Sequence, residues 1–60
     1  MEIGLYDVVL LKDGREGAVL MIFDEYNELL IDDTEDAPFP VDKSEVEKVI
    51  WSFKENRKTP

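Results

Sequence analysis

The feature that most constrains the fold is a pair of apolar runs near the start of the chain, joined by a short polar turn. The first run, Tyr6 to Lys12, is aliphatic and β-branched without helical spacing, which predicts a strand. The dipeptide Asp13-Gly14 predicts a tight turn, because glycine tolerates a positive φ. Ala18 to Phe23 is the second strand, and Gly17 before it indicates a close approach to another segment. The sequence therefore opens with a β-hairpin.

Two more strands are predicted in the middle of the chain. Asp24 to Asn27 is a polar connection whose asparagine suits a turn, and Glu28 to Asp32 is the third strand. The fourth strand, Phe39 to Val41, is interrupted by proline, which cannot donate a ladder hydrogen bond. We therefore expect that strand to be short and to lie at a sheet edge.

The end of the chain allows two interpretations. Asp42 is placed as an N-cap, so we expect one 3-10 turn over Lys43 to Val46. Val49 to Phe53 is rich in β-branched and aromatic residues and is interpreted as the last strand. The competing interpretation is one helix from Lys43 to Asn56, because apolar residues in this segment also recur with helical spacing.

Five short strands with a 3-10 turn before the last one predict an all-β fold, namely a small five-stranded barrel. The step from Val19 to Ile22 breaks strict alternation and predicts a bulge, which helps a short sheet to curl. We expect residues 1–53 to form a single domain and residues 54–60 a short, flexible basic tail. The side chains predicted to face inward are Val9, Leu11, Val19, Ile22, Leu29, Ile31, Phe39, Val41, Val46 and Val49. Those predicted to face outward are Val8, Leu10, Leu20 or Met21, Leu30 and Trp51.

The hairpin carries a resemblance to a known group of folds. The pattern Asp-x-Val-x-Leu from Asp7, a turn, and then Gly-x-Val-x-x-Ile from Gly17 resembles the opening of small bacterial SH3-like barrel domains. These include KOW-type motifs and short families of unknown function. The resemblance extends to about Ile50 and implies an SH3-like barrel. Its nucleic-acid-binding members display many basic side chains around this hairpin, whereas only Lys12 and Arg15 are basic here, so the resemblance does not imply RNA binding.

The composition excludes several kinds of chemistry. The chain has 60 residues with no cysteine and no histidine, which excludes disulfides, the usual zinc sites and the usual nucleophile triads. A calcium loop starting at Asp32 would need glycine where Ala37 stands and glutamate where Lys43 stands. We therefore expect a non-enzymatic protein with no cofactor and no metal. The absence of a targeting or membrane-spanning pattern leads us to expect a cytoplasmic protein that does not bind membranes.

Charge is the strongest compositional signal. The net charge is −8, and nine carboxylates with no lysine or arginine lie between Glu16 and Asp42. Nucleic-acid binding requires a basic footprint, so we expect no direct nucleic-acid contact. Long-range attraction would favour a partner protein with a basic surface. Solubility alone is a competing explanation for such an acidic surface.

These observations leave two functional hypotheses. The first is a protein–protein interaction module that uses surplus aromatic and aliphatic side chains, through which a homodimer could also form. The alternative is a nucleic-acid-mimicking inhibitor or immunity-type protein, of the kind that phages encode, which blocks a basic site on its target. The candidate partner-binding residues are Asp24, Glu25, Tyr26, Glu28, Asp32, Asp33, Glu35, Asp36 and Trp51.

Overall fold

One antiparallel sheet forms the body of the protein. The computed structural model describes residues 2–33, 35 and 37–56. The sheet has five strands in the order β4-β3-β2-β1-β5, so the all-β prediction is confirmed. The strands are β1 (Val8–Leu11), β2 (Glu16–Phe23), β3 (Glu28–Asp32), β4 (Phe39–Asp42) and β5 (Val46–Trp51). Two 3-10 turns, Asp24–Tyr26 and Lys43–Glu45, and a terminal helical turn, α1 (Phe53–Asn56), complete the described elements.

The core lies on one face of this sheet. Seven of the ten residues predicted to face inward are buried, and the other three, Ile22, Phe39 and Val49, are partly buried and pack against them. Ile3 also packs on this core from the N-terminal segment. Burying one such aliphatic side chain contributes about 1.5–3 kcal/mol to the stability of the fold, relative to leaving it exposed to water. The strand parity inferred from the sequence is therefore confirmed.

β2 bends at the position where the hydrophobic alternation breaks. The pairing of β2 with β3 shifts register between Val19 and Met21, which confirms the predicted bulge. Gly17 allows the close approach that its position indicated. A Cβ placed there would lie 2.3 Å from Ile31 Cγ2 and 2.8 Å from the Asp32 carbonyl oxygen. Only a residue without a side chain fits this close approach of Gly17 to β3.

The 3-10 turn before β5 connects the two ends of the sheet. Asp42 caps this turn by accepting the Ser44 N–H at 2.9 Å, as predicted. Two backbone hydrogen bonds, each 2.8 Å long, join this turn to other segments. The Lys43 N–H donates to the carbonyl of Asn27, just before β3, and the Lys12 N–H, just after β1, donates to the carbonyl of Glu45. Backbone pairing does not close the sheet into a barrel, because β4 and β5 are its two edges.

The structure corrects several strand or helix boundaries, and β2 begins at Glu16, two residues before the predicted Ala18. The first strand begins at Val8 and not at Tyr6, because Tyr6 adopts a left-handed conformation with φ of 66°. The last strand begins earlier than predicted, at Val46, and ends at Trp51, so Phe53 belongs to α1. A single helix over residues 43–56 is wrong, since β5 occupies the middle of that segment. The predicted 3-10 turn and the edge position of β4 are confirmed.

The predicted basic tail, residues 54–60, is described only in part. Residues 54–56 belong to α1, which begins at Phe53, while residues 57–60 lie outside the described residues. Within the described part of the chain, no helix is long and apolar enough to span a membrane.

Candidate functional site

A buried carboxylate ties the two ends of the described chain together. Asp7 is only 5% exposed, and among the described residues it is the one charged side chain that is buried. Its Oδ2 accepts the Gly4 N–H at 2.8 Å, and its Oδ1 accepts the Phe53 N–H at 2.9 Å. The first bond stabilises the turn that precedes β1. The second holds the first residue of α1, which is 46 positions away in the sequence.

This arrangement also fixes the left-handed backbone of Tyr6. A non-glycine residue in that conformation costs about 1–2 kcal/mol. The Tyr6 N–H donates to the Val19 carbonyl at 2.7 Å, and the Asp7 carbonyl accepts the Val19 N–H at 2.9 Å. The N-terminal segment is therefore held along β2 on one side and joined to α1 by Asp7 on the other.

Three aromatic rings meet where these ends join. The Tyr6 and Phe53 rings contact edge to face with centroids 5.3 Å apart, and the Trp51 and Phe53 centroids are 6.2 Å apart. Such pairs add about 0.5–1.5 kcal/mol beyond their buried area. Tyr6 remains 51% exposed and Trp51 42% exposed. The cluster therefore combines fixed rings with accessible faces, a combination common in binding hot spots.

An open groove lies beside the aromatic cluster. We call it the aromatic groove; it has a volume of about 760 Å³ and runs between residues 2–5 and residues 49–56. Its lining residues include Leu5, Ile50 and Trp51, each of which has an exposed side chain. Together with Tyr6, these are four of the six large apolar side chains that are strongly exposed in the described chain. Large apolar side chains gathered in this way mark an interaction surface more often than scattered ones do.

A second, smaller groove adjoins the first. We call it the aliphatic groove; its volume is about 410 Å³. Its walls come from the N-terminal segment and the bulged part of β2, with Met21 half exposed. The lining residues are Ile3, Leu5, Leu20, Met21, Ile22 and Asp24. Ile3 and Leu5 line both grooves, so the two form one surface divided by the N-terminal segment. We call it the apolar surface after its exposed apolar side chains, although polar residues such as Ser52 and Asn56 also line the aromatic groove.

The acidic candidate residues do not form one cluster. Asp24, Glu25 and Tyr26 form the first 3-10 turn at one end of β3, and Glu28 begins that strand. Asp32 ends the strand, so it lies roughly 13 Å from Glu28. Two further candidates, Asp33 and Glu35, follow in the loop at that far end, and Asp36 lies outside the described residues.

At the end of β3 where Glu28 lies, part of the negative charge is already paired with groups of the same chain. Lys43 Nζ lies 2.6 Å from Asp24 Oδ1, and Asp42 Oδ1 accepts both the Ser44 N–H and an Asn27 side-chain N–H. The Ser44 hydrogen bond, followed by the Asn27 bond, holds the pKa of Asp42 below its ordinary value. These residues stabilise the turn as well as contributing surface charge.

The remaining candidates lie apart from one another. Tyr26 is 70% exposed and lies at the tip of the first 3-10 turn. Trp51 pairs with Val8, Val8 with Ala18, and Ala18 with Asp32, which places Trp51 and Asp32 three strand spacings, roughly 14 Å, apart. Trp51 therefore belongs to the apolar surface and not to the acidic ends.

The arrangement of the acidic side chains also bears on metal binding. Among the residues that the structure describes, no group of three or more acidic side chains is arranged to hold a metal ion.

At the hairpin turn, the Asp13 carboxylate accepts the Arg15 backbone N–H, which holds the pKa of Asp13 below its ordinary value. The Arg15 guanidinium also lies 4.5 Å from the Phe39 ring centroid. This cluster joins the turn to β4 and leaves its charges satisfied.

Sequence reasoning missed the residues that assemble the apolar surface. Asp7 gave no local signal, since its partner Phe53 is remote in sequence. A signal did exist for α1: Ser52 and Glu55 have capping-box spacing, and Ser52 Oγ accepts the Glu55 N–H at a long 3.4 Å.

Comparisons with known proteins do not extend this description. No protein-family model matches the chain, and no curated protein or solved structure is significantly similar to it. The functional conclusion therefore rests on the geometry described above.

Proposed function

We propose that this chain is a non-enzymatic interaction module with SH3-like architecture that binds another protein through the aromatic groove. The observation that carries the proposal is that Leu5, Ile50 and Trp51 line one groove and Tyr6 packs on its Phe53 wall, all four being exposed by more than 40%. Burying such side chains against a partner releases about 25 cal/mol for each Å² of apolar surface.

The rigidity of the groove supports the same proposal. Asp7 and the Phe53 ring fix the two walls before any partner arrives. A preformed surface avoids about 0.5–1.5 kcal/mol of ordering cost for each side chain that is already immobile. The net charge of −8 favours a partner with a basic surface, because opposite charges accelerate encounter.

The alternative function is a nucleic-acid-mimicking inhibitor or immunity-type protein that blocks a basic site. Its support is the density of carboxylates in and beside β3, at Glu28, Asp32, Asp33 and Glu35. β3 separates these carboxylates into two ends, and Lys43 pairs with one of the acidic residues near the first end. The aromatic groove has no part in such a mechanism.

A capture experiment separates the two functions. The immobilised protein is incubated with lysate of its native cell, at low salt and at about 0.5 M salt, where the Debye length falls below 5 Å. An interaction module keeps its partner at high salt and loses it in Trp51→Ala. It also keeps its partner in the double variant Asp32→Asn with Asp33→Asn, the matched change at the acidic end. The proposal fails if capture disappears with salt and with the Asp substitutions but survives Trp51→Ala.

A further inference from the structure

We infer that the partner is a basic segment of another protein that straddles the N-terminal segment at Leu5 and places one apolar anchor in each groove. This inference rests on the proposed function and adds the mode of binding. Its starting point is that Leu5 lines both the aromatic and the aliphatic groove and is 47% exposed. A partner that fills either groove contacts Leu5, and one that fills both covers it completely.

The sheet edges favour docking by side chains over strand addition. The edge strand β4 contains Pro40, which has no N–H to offer a new strand. The other edge strand, β5, pairs with β1 through two register shifts, which twist it away from a flat edge. An extended peptide therefore finds no regular ladder on either edge, while the two grooves remain open to its side chains.

The pairing register gives the spacing of the two anchors. Trp51 lies two strand spacings from Ala18, roughly 10 Å, and Met21 lies three residues further along β2, roughly another 10 Å. The anchors are therefore roughly 14 Å apart. That distance corresponds to about four residues of extended chain or about nine residues of helix.

The charges around the grooves indicate the sign of the charge that the partner carries. The carboxylates of Glu2 and Glu55 line the aromatic groove, and that of Asp24 lines the aliphatic groove. Among the described lining residues, Lys54 is the one cation. A second copy of this chain would bring a further net charge of −8 to this surface, whereas lysine or arginine beside the apolar anchors complements it.

A displayed library of random peptides of about 12 residues, long enough to span both grooves, tests the inference. Peptides selected on the immobilised full chain are expected to carry two apolar residues at the stated spacing, flanked by lysine or arginine. Their affinities are then measured through the fluorescence of Trp51. Leu5→Asp is expected to raise Kd about tenfold or more, as at a central hot spot. Tyr26→Asp is the matched control, because it adds the same charge at a site outside both grooves.

The two single-groove variants make the outcomes distinguishable. Ile50→Asp and Met21→Asp are both expected to weaken binding, and thermal melting checks that each variant is folded. If Ile50→Asp weakens binding and Met21→Asp does not, the straddling mode is wrong and the proposed function stands. Selection of neutral or acidic peptides, or a dimer in sedimentation velocity that Leu5→Asp dissociates, overturns the basic partner. If no peptide is enriched, or if none of these variants weakens binding, both the inference and the proposed function fail.

Discussion

Replacing Asp7 is expected to loosen the whole apolar surface. Its carboxylate accepts two backbone N–H groups, from Gly4 and Phe53, at 2.8 and 2.9 Å. A hydrogen bond to a charged group contributes about 1.5–3 kcal/mol, so losing both in Asp7→Ala costs about 3–6 kcal/mol. A domain of this length has a total stability of about 3–9 kcal/mol. The variant is therefore expected to be folded marginally, if at all, at room temperature.

Two further variants calibrate this prediction. Asp7→Asn keeps one carbonyl acceptor and the side-chain shape, so it is expected to lose about half as much stability. Asp33→Ala is the matched control, because the Asp33 carboxylate also accepts a backbone N–H, from Glu35 at 2.9 Å, but in an exposed loop. We expect that control to cost about 1 kcal/mol or less.

Urea unfolding gives the required free energies. Trp51 fluorescence reports the aromatic cluster, and far-UV circular dichroism reports the sheet. In Asp7→Asn, the fluorescence is expected to change in the folded baseline as well, because the Phe53 ring that contacts Trp51 is no longer held. If Asp7→Ala costs no more than Asp33→Ala, the proposed role of Asp7 is wrong.

Three other predictions concern stability. Gly17→Ala is expected to destabilise the fold by about 3 kcal/mol or more through overpacking, whereas Gly14→Ala, with φ of 95° but open space, costs about 1–2 kcal/mol; urea titrations of both compare them directly. Leu29→Ala empties a fully buried site and is expected to cost about 2–5 kcal/mol, against about 1 kcal/mol for the partly exposed Leu30, and thermal melts measured on both variants test this ranking. The lowered folded-state pKa of Asp42 means that its charge stabilises the fold above the unfolded pKa of about 3.9 and that this contribution is lost as pH falls through the folded value. Asp42→Asn should therefore melt below the wild type at pH 7 and converge with it in acid, and an unchanged gap down to about pH 2 would contradict the assignment.

The predictable part of this fold came from local patterns. The alternation of apolar and polar residues in the hairpin predicted which side chains face inward. The uneven step from Val19 to Ile22 predicted the bulge. The turn before β5 was predictable because Asp42 lies next to the N–H that it caps. Each of these signals depends on residues close together in the sequence.

The features that could not be predicted depend on distant contacts. Tyr6 has a strand-forming side chain, yet the bonds of Asp7 to Gly4 and Phe53 hold the preceding turn in place, so the first strand begins only at Val8. The acidic stretch looked like one site because its members are neighbours in sequence. Glu28 and Asp32 lie at opposite ends of β3, so residues that are close in sequence are far apart in the structure.

The central claim is that the apolar surface, and not the acidic stretch, contacts the partner. Backbone amide shifts of the isotope-labelled protein, recorded with and without the captured partner, test it residue by residue. We predict the largest changes at Leu5, Ile50 and Trp51, on the walls of the aromatic groove. Changes concentrated instead at Glu25 and Asp32, with the groove residues unmoved, would contradict the account.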